Sequence, residues 1–146
     1  RGLRPKKPIP AGQFIGEYVG EIISVEEAMR RLRGSSHDHY YILDLNGREC
    51  IDARKKGAVT RFINHSCDPN SQVQKWVVRG EERVGIFAWC DIAQGEEITF
   101  DYQFESIGST CRRCLCGAHN CRGWLGAKQH DTISEDKSCS ASSGVE

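Results

Sequence analysis

Apolar and polar residues alternate along this chain in runs of four to eight positions, the length of strands, and only one segment keeps a helical period. "FIGEYVGEII" (14–23) carries β-branched and aromatic residues broken by Gly16 and Gly20, which predicts two short strands with a bend between them. "SVEEAMRRLRG" (24–34) opens on Ser24 with Glu27 three residues on, a capping-box spacing, and aligns Val25, Met29 and Leu32 before Gly34. It predicts an amphipathic helix of about three turns. "YYILDL" (40–45) and "CIDA" (50–53) read as a strand pair turning at Asn46-Gly47. The strongest hairpin signal is "QVQKWVVRGEERVGIFAW" (72–89), two alternating arms around polar turn residues at Arg79–Glu82. Residues 128–146 lack aromatic side chains and periodicity, the pattern of a disordered tail or linker. The fold class is therefore mostly β with few short helices.

Composition narrows the function classes more than the fold. A chain of 146 residues fits one domain with a real core. Twenty Lys plus Arg balance twenty Asp plus Glu, so overall charge gives no sign of a nucleic-acid groove or an anionic membrane surface. The basic clusters "RPKK" (4–7) and "ARKK" (53–56) are short and read as solvated loops. No apolar run approaches the roughly 18 residues of a membrane span. The chain reads as a soluble fragment of something longer, without internal repeat, phosphate-cradling glycine loop or G-x-S-x-G elbow.

Eight cysteines change that picture, because their spacing is uneven. Cys50, Cys67 and Cys90 lie far apart in sequence, and the apolar flanks of Cys50 and Cys90 suggest buried structural thiols. Cys111, Cys114, Cys116 and Cys121 instead crowd into eleven residues. Cys114 and Cys116 are too close to bridge each other readily, yet both can converge with Cys121 on one ion through the Gly117 turn. Zinc takes four ligands, so a fourth is wanted, and Cys67 and Cys111 both remain open for it. Cys139 lies in the polar tail. The competing reading is a secreted disulfide domain, in which these thiols would be oxidised.

Four motifs in order, "GEYVGE" (16–21), "RFINHSCDPN" (61–70), "GEEITFDY" (95–102) and "CLCGAHNCRGWLG" (114–126), resemble a SET-domain protein lysine methyltransferase with its post-SET zinc segment. The likeness covers residues 1–127, and "DPNSQVQKW" (68–76) with "TFDYQF" is similar to the histone H3 lysine-36 class. It implies a SET domain over 1–104, with its N-terminal edge missing, and a post-SET segment over 105–127. It also implies small curled sheets with a knot-like threading of the segment carrying Tyr102 beneath the loop carrying Asn64. The first glycine of an N-terminal G-x-G loop and the Cys-rich segment usual before the domain are absent from this sequence.

The resemblance also assigns roles. Asn64 and His65 would hold S-adenosylmethionine, His65 through its backbone, while Cys67 leaves the same loop to join Cys114, Cys116 and Cys121 on zinc. Taken alone, Asn64 reads equally as a turn cap and His65 as structural. Arg1, Gly2, His39, Tyr40, Tyr41, Arg61, Phe104 and Leu115 match further cofactor positions, Tyr102 and Tyr40 catalytic ones, and Tyr18, Tyr41 and Phe100 the lysine channel. Phe100 matches a phenylalanine/tyrosine switch that sets how many methyl groups are added, and phenylalanine implies the dimethyl or trimethyl product. The implied partner is a histone H3 tail or nucleosome in nuclear chromatin, met by a monomer, with any nucleosomal DNA contact not evident from charge. Two alternatives remain, another histone H3 lysine (the lysine-4 class) and an inactive SET-like chromatin-binding module.

Overall fold

The computed structural model describes residues 2–33, 41–102 and 112–125. In chain order they form β1 (Phe14–Glu17), β2 (Glu21–Ser24), α1 (Val25–Arg33), β3 (Ile42–Asp44), β4 (Glu49–Asp52), a 3-10 turn (Val59–Phe62), β5 (Asn64–His65), β6 (Ser71–Val78), β7 (Glu81–Ala88), β8 (Thr99–Phe100), β9 (Arg112–Arg113) and β10 (Trp124–Leu125). Among the described residues strands dominate and one α-helix is present, as the periodicity predicts.

Three small sheets share the strands. The largest has the order β1-β7-β6-β8-β5, a second joins β2-β4-β3, and the third is the pair β10-β9. Gly20 marks the break between β1 and β2, since a Cβ there would stand 2.5 Å from the Asp52 carbonyl oxygen of the neighbouring strand. The bend therefore lets one apolar run supply two sheets. The long hairpin pairs Ser71 with Ala88 through Val78 with Glu81, and its loop is only Arg79-Gly80, both at positive φ. Two such residues match the twist of the arms, which explains a turn tighter than the sequence alone suggests.

α1 starts where Ser24 Oγ accepts the Glu27 N–H at 3.2 Å. The reciprocal arm of the capping box is replaced: the Glu27 carboxylate binds Arg30 and Arg31. Arg31 continues to Asp52 on β4 at 2.8 Å, and Asp52 also receives Arg54. The helix fully buries Ala28 against Ile23 and Cys50, whereas Val25, Met29 and Leu32, which its period singles out, are half-buried, with Val25 packed on the same cluster. "ARKK" is only partly a solvated loop, since Arg54 belongs to this ion-pair network.

The main core runs under the five-stranded sheet and includes Tyr18, Ile63, Val84, Ile86, Ile98 and Phe100. Cys50 is fully buried, whereas Cys90 is exposed. The expectation of a buried Cys90 fails because β7 ends at Ala88; Trp89, 65% exposed, and Cys90 already lie on the surface. No described helix is long and apolar enough to cross a membrane. The knot-like threading concerns the path beyond Tyr102; residues 103–111, like the tail 128–146, lie outside the described residues.

Candidate active site and metal centre

The site is organised where β5 meets β8. These two-residue strands run parallel, with Asn64 opposite Thr99 and His65 opposite Phe100. Pairing so short needs outside support. Ser71 Oγ donates to the Thr99 carbonyl at 2.8 Å, and buried Asn70 accepts the Thr99 N–H while donating to the Glu97 carbonyl. The 3-10 turn before β5 is anchored where Thr60 Oγ1 donates to the Glu17 carbonyl of β1 at 2.8 Å. "RFINHSCDPN" is thus flanked by Thr60 and Ser71 and ends on Asn70, three polar residues that tie it to neighbouring strands.

Aromatic side chains converge beside this junction. Tyr102 donates its hydroxyl proton to the Ile63 carbonyl at 2.7 Å, and its ring lies 4.8 Å from that of buried Phe100. Burial, with the nearby Tyr41, pushes the Tyr102 phenol up to about 12. Tyr18, 5% exposed, donates to the Tyr41 carbonyl at 3.1 Å, and burial with the neighbouring Tyr102 pushes its phenol up as well. Both phenols therefore stay protonated at neutral pH. The Arg61 guanidinium lies 4.7 Å over the Tyr41 ring and donates to the Arg54 carbonyl. Its Nε is buried and has no hydrogen-bond partner among the described residues.

Asn64 donates to Glu97 Oε1 at 2.6 Å, and a Cβ on Gly2 would stand 2.2 Å from the same oxygen. The structure thereby brings Gly2 and Asn64, far apart in sequence, to one carboxylate. Glu97 itself was not singled out from the sequence; it also receives Arg4 at 3.3 Å. Its signal was present in "GEEITFDY", whose second Glu had no role assigned. Arg1, His39, Tyr40 and Phe104 lie outside the described residues. Leu115 stands 86% exposed beside the cysteine cluster.

Cys67, Cys114, Cys116 and Cys121 place their sulfurs within 4.8 Å of one another, while Cys111 lies outside the described residues. Cys67 Sγ lies 3.8 Å from Cys114 Sγ and 4.0 Å from Cys121 Sγ. Four thiolates bonded to one zinc at about 2.3 Å would stand about 3.8 Å apart at tetrahedral angles, so the donor set fits zinc. Backbone N–H groups point at the sulfurs too, Arg122 at Cys67 and Gly123 at Cys121, both at 3.4 Å. The N–H groups of Cys67 and Ala118 hold the Cys116 thiol down at about 6. Burial pushes Cys114 up to about 12, a cost that a bound divalent cation would reverse.

The segment carrying three of these cysteines docks on Asp101, the residue before Tyr102. Arg122 and Asp101 form a two-pronged ion pair at 2.7 and 2.9 Å, which the sequence reasoning missed because charge pairing across 21 residues leaves no local pattern. His65 lies between the two regions: Nδ1 is 3.2 Å from the Tyr102 nitrogen, and Nε2 is 3.3 Å from Cys67 Sγ. Burial lowers the His65 pKa below its usual value.

A SET domain family profile matches residues 1–103. The chain is 52% identical over 130 residues to the histone-lysine N-methyltransferase Set2 of Drosophila melanogaster, covering 87% of this chain and 6% of that protein. It is 46% identical over 142 residues to the "histone-lysine N-methyltransferase, H3 lysine-36 specific" of Homo sapiens, covering 94% and 5%. It is 51% identical over 138 residues to the histone-lysine N-methyltransferase ASHH1 of Arabidopsis thaliana, covering 90% and 28%. The chain therefore spans a small part of the length of these relatives. Matched across most of its own residues, the chain belongs to the SET-domain family.

Proposed function

We propose that this chain transfers methyl groups from S-adenosylmethionine to a lysine of the histone H3 tail, lysine-36, acting on nucleosomes in nuclear chromatin. The reading assigns a SET domain to residues 1–104 and a post-SET segment to 105–127, with one zinc held by Cys67, Cys114, Cys116 and Cys121. One observation carries it: Tyr102 and Phe100 meet Asn64-His65 at the β5–β8 junction, in a chain similar to histone-lysine N-methyltransferases.

Gly2 and Asn64, gathered at Glu97, would hold the cofactor, and Arg61 on Tyr41 would close the same side. The cofactor supplies an electrophilic methyl group next to a positive charge. A lysine amine, with a reference pKa near 10.4, must be neutral to react, and an apolar channel walled by Tyr18, Tyr41 and Phe100 disfavours its charged form. Tyr102 commits its proton to the Ile63 carbonyl, so its oxygen acts as an acceptor that orients the amine. The protein's contribution is positioning and electrostatics, with no covalent intermediate on the chain.

The test is mass spectrometry of nucleosomes incubated with the full chain and isotope-labelled S-adenosylmethionine. Label on histone H3 lysine-36 is expected. Label confined to lysine-4 would move the protein to the other substrate class, and cofactor binding without any labelled histone would make it a binding module.

A further inference from the structure

We infer that the His65 imidazole is a positioning residue that ties the Cys67 sulfur to the backbone of Tyr102, and so links the cysteine cluster to the aromatic site. The inference rests on the reading of that cluster as a zinc centre. The hydrogen bond from the Tyr102 N–H makes Nδ1 an acceptor. An imidazole accepting at Nδ1 carries its hydrogen on Nε2. Nε2 lies 3.3 Å from Cys67 Sγ, so that hydrogen points at a cysteine sulfur.

The surroundings leave the ring this one arrangement. Its side chain is only 7% exposed, and the Tyr102 ring packs on it edge-on at 5.4 Å between centroids. Asp101 Oδ1 stands 3.6 Å from Nδ1, too far for a hydrogen bond, and that carboxylate is already gripped by Arg122. A sulfur on a metal is a thiolate, a better acceptor than a thiol, so metal binding strengthens the Nε2–H···S contact and fixes the tautomer that accepts from Tyr102. Side chains that bond to metal ligands in this way orient them and slow metal loss.

Nitrogen-15 NMR of the full chain loaded with zinc should show His65 with its proton on Nε2. Replacing zinc by cadmium-113 should give a scalar coupling from that proton to the metal through Cys67. Two substitutions divide the ring's contacts: His65→Asn can reach Tyr102 but not Cys67, and His65→Gln can reach Cys67. Metal release to a chromogenic chelator should be roughly 10- to 100-fold faster for His65→Asn, with His65→Gln nearer the parent chain. A proton on Nδ1 in the zinc-loaded chain, or equal release rates for the parent and His65→Asn, overturns the link while leaving the zinc reading intact. A chain that binds no metal overturns both.

Discussion

Tyr102 and Phe100 sit side by side with opposite polarity, and that contrast sets what each substitution does. The Tyr102 hydroxyl is bonded to Ile63, and in the proposed function its oxygen is the acceptor for the amine. Tyr102→Phe keeps the ring against Phe100 and removes that atom. Methyl transfer should fall by roughly 10²-fold, the scale of losing one preorganised group at a reacting centre, with cofactor affinity by calorimetry nearly unchanged. Because the phenol titrates at about 12, the rate between pH 7 and 9 should show no step from Tyr102 itself. Phe100 is 4% exposed and its ring lies 4.8 Å from that of Tyr102, so Phe100→Tyr places a polar oxygen among the buried aromatic rings. A hydroxyl there, worth about 1 kcal/mol in hydrogen bonding, should shift product ratios several-fold towards monomethyl-lysine. Unchanged mono-, di- and trimethyl proportions in product mass spectra would remove Phe100 from product control. Both residues were visible in "TFDY" because a motif preserves short-range order. Glu97 was not, since its link to Asn64 spans 33 residues.

Hairpins were the most legible elements, since a turn between alternating arms is a local signal; Asn46-Gly47 turns where it should, and the long hairpin turns at Arg79-Gly80, a tighter loop within the Arg79–Glu82 stretch that the sequence marks. β5 and β8, two residues each and parallel, have no such signal, and their pairing arises from Asn70 and Ser71 stitching distant backbone. The capping box was half right for a similar reason, because the Glu27 carboxylate found arginines instead of the helix start. Those arginines lead to a testable element-scale effect. Burial alone would raise the pKa of Asp52, but hydrogen bonds from Arg54 and Arg31 hold its carboxyl down to about 2, against the usual 3.8. A group depressed on folding adds stability above its unfolded pKa, and loses it as pH falls from 3.8 towards about 2. Asp52→Asn, which leaves two arginines without their shared charge, should cost about 2–3 kcal/mol near neutral pH, the scale of a depression from 3.8 to about 2. Urea titrations should show that difference narrowing as pH drops through this window. A constant difference down to the lowest pH would mean that Asp52 acts through packing alone.

At the scale of the molecule, the second half of the site is brought in by residues 112–125, whose own strands β9 and β10 are two residues each, with Trp124 and Leu125 only half-buried. A segment this small cannot hold itself in place by apolar burial, so its position depends on the Cys67 meeting with Cys114, Cys116 and Cys121 and on the Arg122–Asp101 ion pair. Arg122 is 54% exposed, and an exposed pair contributes at most about 1 kcal/mol. A structural zinc contributes far more, about 10 kcal/mol or above in small zinc domains. Metal removal should therefore release the segment while the core under β6 and β7, which shares none of these ligands, stays folded. Hydrogen exchange followed by mass spectrometry should show protection lost over 112–125 and reduced over 63–67 and 100–102 when zinc is chelated, with the 71–88 hairpin unchanged. Cofactor affinity should fall alongside, because Asn64 and His65 lie on the loop that Cys67 anchors. Cys67→Ser should reproduce the loss with zinc present. A Cys67→Ser chain that kept one equivalent of zinc and full cofactor affinity would show that Cys67 is dispensable and assign the fourth ligand to Cys111.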